Sequence, residues 1–161
     1  MIYDDQNTEF AIAVKFVNHT NTSFFLTGKA GTGKTTFLKF IRQHSTKNTI
    51  VVAPTGVAAV NAGGVTIHSF FQLPFAYYLP QADFFSHRNN DRFITTEGLL
   101  NRIKFNPLKK KLIEALDTII VDEVSMVRAD MIDAMDTILR HVRKKPHQPF
   151  GGIQMVFIGD L

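Results

Sequence analysis

Residues 28 to 35 read Gly-Lys-Ala-Gly-Thr-Gly-Lys-Thr directly behind the apolar run Phe24 to Thr27. Few folds accommodate that junction. A strand has to end, a glycine-rich turn has to reverse the chain, and a helix has to begin at once. The spacing is that of a phosphate-cradling loop, Gly, four residues, then Gly-Lys-Ser/Thr, in which backbone N–H groups face an anion at a helix N-terminus. Gly28, Gly31 and Gly33 suit the turn, because side chains there would block close approach of the backbone and some turn positions need φ values that only glycine adopts cheaply. Lys29, Ala30, Thr32 and Thr36 complete the candidate nucleotide-binding set. Charge and reach give Lys34 the β- and γ-phosphates, and the Thr35 hydroxyl a magnesium ion.

A second element follows from Thr118 onward, Thr-Ile-Ile-Val-Asp-Glu, an apolar strand ending in two carboxylates. Asp122 is the candidate magnesium ligand, through water. Glu123 stands where a carboxylate orients the attacking water or takes its proton, and is the candidate catalytic base. Taken singly, a Gly-Lys loop is a surface turn and an Asp-Glu pair a helix start. Their order, each behind an apolar strand, favours ATP and magnesium chemistry. A dinucleotide fold is disfavoured, since Gly31-Thr32-Gly33 is followed by Lys34, Thr35 and Thr36 where its fingerprint requires a third glycine.

Around these motifs the pattern alternates between strand and helix. Asn7 or Thr8 caps a helix whose apolar face is Phe10, Ala13, Val14 and Val17. The helix after the loop buries Phe37, Leu38 and Ile41. Thr49 to Ala53 is a β-branched strand closed by Pro54, and a helix follows from Gly56 to Asn61. Leu108 to Leu116 is helical. Met131, Met135, Ile138 and Val142 mark the inner face of a long helix in which the methionines serve as core. Gln154 to Ile158 is a last strand. Four strands with crossovers imply an α/β fold with a parallel sheet and helices on both faces.

The stretch from Gln72 to Pro107 breaks this rhythm. It carries Phe75, Tyr77, Tyr78, Phe84, Phe85, Phe93 and Phe105 among Arg88, Arg92, Arg102 and Lys104. Two readings stand side by side: aromatics that stack bases while cations hold phosphates along a single strand, or a small accessory lobe packed on the sheet with its charges in water.

Composition excludes more than it identifies. The chain has 161 residues, 45% hydrophobic and 20% charged, enough for one domain with a substantial core. It contains no cysteine, hence no disulfide or thiolate metal site, and its six histidines show no ligand spacing. Its net charge of +4 permits a polyanionic partner without demanding one. There is no long apolar run, and Met1 to Glu9 is polar and acidic, so a cytoplasmic protein with no membrane partner is expected.

Three further segments carry a resemblance: Ala-Pro-Thr-Gly-Val-Ala-Ala at 53 to 59, Thr-Ile-His-Ser-Phe-Phe at 66 to 71, and Val-Asp-Glu-Val-Ser-Met-Val at 121 to 127. With the phosphate loop they closely resemble the PIF (petite integration frequency) family of superfamily-one DNA helicases. The likeness runs from Gln6, placed like the family's adenine-reading glutamine, to Gly159-Asp160-Leu161. It implies a RecA-like P-loop NTPase, residues 1 to 161 being the first of two motor domains with an insertion at about 72 to 107. It further implies an ATP- and magnesium-dependent motor that moves five-prime to three-prime on single-stranded DNA and opens duplex junctions in repair, recombination or telomere maintenance.

Thr55, Gly56, Thr66 and His68 match positions where such helicases contact the DNA backbone or neighbouring structure. For Thr55 the chemistry agrees, because a hydroxyl and a backbone N–H at a strand-to-helix turn bind phosphate without reading sequence. For His68 a packed structural histidine beside Phe70 and Phe71 is an equal reading. Where the family continues with Gln-Leu-Pro-Pro, this chain stops. The expectation is therefore of a domain truncated at its C-terminus, lacking the γ-phosphate-sensing glutamine and the second domain with its arginine, and better at binding nucleotide than at cleaving it. A nucleotide kinase or protein-remodelling ATPase indifferent to DNA, and a non-catalytic nucleotide-binding module, are the alternatives.

Overall fold

The computed structural model describes residues 8–29, 31–81 and 92–160. The chain runs through α1 (Thr8–His19), β1 (Phe24–Thr27), α2 (Lys34–His44), β2 (Thr49–Ala53), α3 (Gly56–Ala62), β3 (Val65–Thr66) and α4 (Ile67–Phe71). It continues through β4 (Tyr77–Tyr78), β5 (Phe93–Ile94), α5 (Thr96–Arg102), α6 (Pro107–Ala115), β6 (Thr118–Val121), α7 (Ala129–Val142) and β7 (Gln154–Gly159). Five strands form one sheet in the order β1-β7-β6-β2-β3, every neighbouring pair parallel. No helix among the described residues is long and apolar enough to cross a membrane.

Parallel strands covered on both faces must be apolar on both, and the inner strands β2, β6 and β7 are. Val52, Ile119, Val121 and Met155 point into one core with Met135, Ile138 and Leu139 of α7, Ile113 of α6 and Leu99 of α5. Val51, Ile120, Val156 and Ile158 point into the other, with Val17 of α1 and Phe37, Leu38 and Ile41 of α2. The helical faces expected from periodicity are the buried ones, and Met131 and Met135 are core side chains. The fold is a RecA-like α/β sandwich with helices on both sides of the sheet, as the sequence indicated.

Two features depart from the four-strand expectation. The sheet gains a fifth strand at its edge, β3, whose two residues are too few to show periodicity. It approaches β2 so closely that a Cβ on Gly64 would lie 2.2 Å from the Val51 carbonyl oxygen. The aperiodic stretch also holds real structure: β4 and β5 pair in parallel, and α5 starts at a Thr95 cap whose side chain accepts from the Gly98 N–H at 3.2 Å. Buried Tyr78 bonds the Thr96 and Thr137 hydroxyls, each at 2.8 Å, and so fastens this lobe to α7.

Candidate nucleotide site and the adjoining strand-end surface

Strand order decides which loops meet. Because β7 lies between β1 and β6, the phosphate-loop sequence after β1, the Asp-Glu pair after β6 and the end of β7 open side by side at the carboxyl edge of the sheet. In α/β sheets that edge is where ligands bind.

The loop has the geometry its glycines permit. Gly31 and Gly33 hold φ of 82° and 96°, values costly for any residue with a Cβ. Gly28 has no room for one, since a Cβ would stand 2.5 Å from Thr32 Oγ1. The Thr32 N–H and hydroxyl both donate to the Lys29 carbonyl, at 3.2 and 2.8 Å, and fix the curl of the turn. α2 begins at Lys34 with no side-chain cap from Gly33, so its first-turn N–H groups face the loop. Thr35 and Thr36 are exposed on that turn. A cavity of about 290 Å³ opens between Glu9 and Phe10 of α1 and Gly28, Thr32, Gly33 and Lys34. Gln6 and Ala30 lie outside the described residues.

Lys34 reaches back over the loop. Its ammonium donates to the Gly28 carbonyl, to the Lys29 carbonyl at 3.2 Å and to the Asp160 carboxylate at 2.5 Å. Asp160, one residue past β7, is the site residue that sequence reasoning passed over. Its signal was present, a carboxylate immediately after an apolar strand, as at Asp122.

Asp122 continues β6, its N–H donating to the Val52 carbonyl at 2.9 Å. Its carboxyl pKa is raised above the ordinary value, chiefly by burial and further by the Glu123 charge, against the opposing pull of the Glu123 N–H and Lys34. A bound cation would offset that desolvation. The donors, an aspartate and a hydroxyl, are hard oxygens of the kind magnesium takes. Among the described residues no cluster of three or more His, Cys, Asp or Glu forms a metal cage.

Glu123 is exposed and sits at φ 53°, ψ 44°. A left-handed glutamate is strained by about 1–2 kcal/mol, and strain of this kind collects at functional positions. The chain then closes a short 3₁₀ turn, Val124–Met126, against the end of β7, where a Cβ on Gly159 would come within 3.0 Å of Val124.

A second group of predicted residues lies further along the same edge. β2 and β3 pair with Ala53 opposite Thr66, so the turns that follow them are neighbours. Thr55 caps α3 by accepting from the Ala58 N–H, and Thr66 caps α4 by accepting from the Ser69 N–H, each at 3.2 Å. Their hydroxyl hydrogens remain to donate outward. Gly56 is open, with nothing within 4 Å of an added Cβ.

His68 is only partly buried, unlike its neighbours Phe70 and Phe71. Its half-exposed ring stacks on Phe75, centroids 4.9 Å apart at 22°, and Phe75 is 93% exposed. Burial, and secondarily the Arg128 charge, hold its pKa below the usual histidine value, so the ring is neutral at neutral pH. Arg128 lies 4.2 Å over the Tyr77 ring, donates to the Ala76 carbonyl at 3.0 Å and forks onto Asp130 with two bonds of 2.8 Å. Asp130 in turn accepts from the Tyr78 N–H at 2.9 Å.

The aromatics of this stretch thus divide. Tyr78 and Phe105 are core, whereas Phe75, Tyr77 and Phe93 are exposed, as are Arg92, Arg102 and Lys104. Phe84, Phe85 and Arg88 lie outside the described residues.

Comparison with known proteins shows the family. The PIF1-like helicase family profile matches residues 1–161. The chain is 36% identical over 144 residues to the ATP-dependent DNA helicase PIF1 of Saccharomyces cerevisiae, covering 86% of this chain and 15% of that protein. It is 35% identical over 145 residues to the human PIF1, covering 86% and 19%. Among solved structures, Bacteroides sp Pif1 in complex with ADP-AlF4 superposes with a TM-score of 0.79 at 41% identity, over 100% of this chain and 33% of that one. Candida albicans Pif1 does so at 0.72 and 34% identity, over 99% and 33%. This chain therefore spans less than a fifth of the length of those two curated relatives and about a third of those solved chains. A phosphate loop, an Asp-Glu strand end and two threonine-capped turns on one sheet edge, matched along the whole chain by a single family, place it among its members: the chain belongs to the PIF1-like helicase family.

Proposed function

We propose that this chain is the nucleotide-binding motor domain of an ATP-dependent DNA helicase, the first of two such domains in the working protein. The observation that carries the reading is the sharing of one sheet edge. Lys34, Asp122 and Glu123 stand at the ends of β1 and β6, and Thr55 and Thr66 at the ends of β2 and β3, so a change in phosphate occupancy and a grip on a strand are adjacent events.

In this reading the loop N–H groups and Lys34 hold the phosphates, and the cavity beside Glu9 and Phe10 takes the nucleoside, next to Gln6 in sequence. Thr35 and Asp122 would hold magnesium, whose chemistry is to neutralise charge on the β- and γ-oxygens. Glu123 orients water. Since a metal-binding carboxylate must be ionised, magnesium affinity falls as pH drops through the raised pKa of Asp122. Relatives named ATP-dependent DNA helicase and a Bacteroides Pif1 bound to single-stranded DNA support the DNA assignment. Movement five-prime to three-prime, opening of duplex junctions, and intracellular work in repair, recombination or telomere maintenance follow the family.

The test is ATP turnover by the complete gene product with and without single-stranded DNA. Strong stimulation supports a motor. Turnover indifferent to DNA would leave the phosphate chemistry standing and overturn the helicase reading.

The exposed Phe75 ring, backed by His68, is a surface on which a base stacks. Replacing Phe75 by Ala should weaken binding of a fluorescent oligothymidylate, read by anisotropy, by roughly 5- to 150-fold, the equivalent of one base stack of about 1–3 kcal/mol. Unchanged affinity would exclude this ring from the DNA path.

A further inference from the structure

We propose that Asp160 is a positioning residue for the nucleotide reaction: it competes with the terminal phosphates for the Lys34 ammonium, yields the lysine when phosphate arrives and recaptures it as phosphate leaves. The proposal rests on the reading that Lys34 binds phosphate.

Donor arithmetic carries it. A lysine ammonium has three N–H donors, and three acceptors take them here: the carbonyls of Gly28 and Lys29 and the carboxylate of Asp160. No donor is left over, so a phosphate oxygen bonds Lys34 only by displacing one of the three. The two carbonyls belong to the loop backbone, whose curl Thr32 fixes through Lys29. Asp160 is different. Its side chain is 59% exposed while that of Lys34 is 19% exposed, and rotation about its own side-chain bonds releases it into water without moving the backbone.

The placement follows from topology. With β7 between β1 and β6, a carboxylate one residue past β7 stands between the phosphate loop and the Asp122-Glu123 pair. Asp160 thus occupies, relative to Lys34, the role of an anion.

One consequence separates this role from mere repulsion. A carboxylate that acts by capturing Lys34 influences nucleotide affinity only while the lysine is present. A carboxylate that simply repels phosphate does so whatever stands at position 34. The experiment is a double-mutant cycle in the complete protein: dissociation constants for ADP and a non-hydrolysable ATP analogue in the parent, Asp160→Asn, Lys34→Met and the double variant, with thermal melting to establish folding.

Asp160→Asn is expected to tighten both nucleotides by roughly two- to fivefold, the range of a partly exposed ion pair, and to slow phosphate release measured with a phosphate-sensing protein. In the Lys34→Met background the same substitution should leave affinity unchanged. Equal tightening in both backgrounds would make Asp160 a plain repelling charge, and no tightening with Lys34 present would remove it from the site; either overturns the proposal. Should Lys34→Met alone leave nucleotide affinity untouched, the phosphate-loop reading itself fails, a result separate from both.

Discussion

Replacing Glu123 by Gln in the complete protein should leave ATP binding nearly intact and, on the proposed reading of Glu123 as base in a DNA-stimulated ATPase, lower turnover by ~10²- to 10⁴-fold, the usual contribution of a positioned general base. The amide keeps the size of the side chain and gives up its basicity. Glutamine at φ 53° is as strained as glutamate, so stability should not move and the loss cannot be charged to folding. Glu123→Gly separates the two effects further. It relieves the left-handed strain, about 1–2 kcal/mol, and should raise the midpoint of urea unfolding while abolishing turnover. An inactive and more stable variant is the mark of a residue retained for chemistry against its conformational preference. If Glu123→Gln turns over like the parent, another group orients the water.

The second large effect is expected at Lys34. On the proposed reading, Lys34→Ala removes the donor that neutralises charge on the transferring phosphoryl group, and loss of one such preorganised contact costs about 10²- to 10³-fold in turnover. Weakened nucleotide binding adds to this. A less direct consequence lies in Asp122, whose raised pKa is held back by Lys34. Without the lysine that carboxyl rises further, so the acidic limb of the magnesium-dependent turnover profile should shift to higher pH in whatever activity remains. The check is kcat and KM against pH for Lys34→Ala beside Lys34→Arg. Arginine restores a positive charge, so Asp122 should return toward its parental limb even where turnover does not recover.

How much of this could be read before the structure depended on range. Val51 and Val52, or Ile119 and Ile120, are neighbours in sequence on opposite faces of a strand, and their β-branched apolar character announced a sheet covered on both sides. The faces of α1, α2 and α7 were equally plain, since each spans three or more turns of one period. The phosphate-loop spacing and the Asp122-Glu123 pair are contiguous in sequence, so they could be singled out as candidates without any long-range pairing.

What escaped was either too short or too distant. β3 has two residues and α4 five, below the length at which a period shows. The stack of His68 on Phe75 depends on a reversal at Gln72, which takes φ 55°, and glutamine does not advertise a left-handed turn. The Lys34–Asp160 pair joins residues 126 apart in sequence, and only the interposition of β7 between β1 and β6 brings them together. The backbone strain at Glu123 left no trace in composition at all.

The Arg128–Asp130 fork has a mechanical meaning. Arg128 holds the Ala76 carbonyl and Asp130 holds the Tyr78 N–H, so the accessory lobe is welded to the head of α7 at two points of its main chain. The two bonds tie the described main chain from Ala76 to Tyr78 to the start of α7, so that stretch and the helix head are held together. The weld resists acid as well. Arg128 holds the Asp130 carboxyl below its ordinary range, so the stability it contributes is complete above about pH 4 and is lost only as pH falls through that lowered value. Only four residues, Val124 to Val127, lie between Glu123 and Arg128, and that short span is the shaft that joins the carboxylate turn to the tied segment.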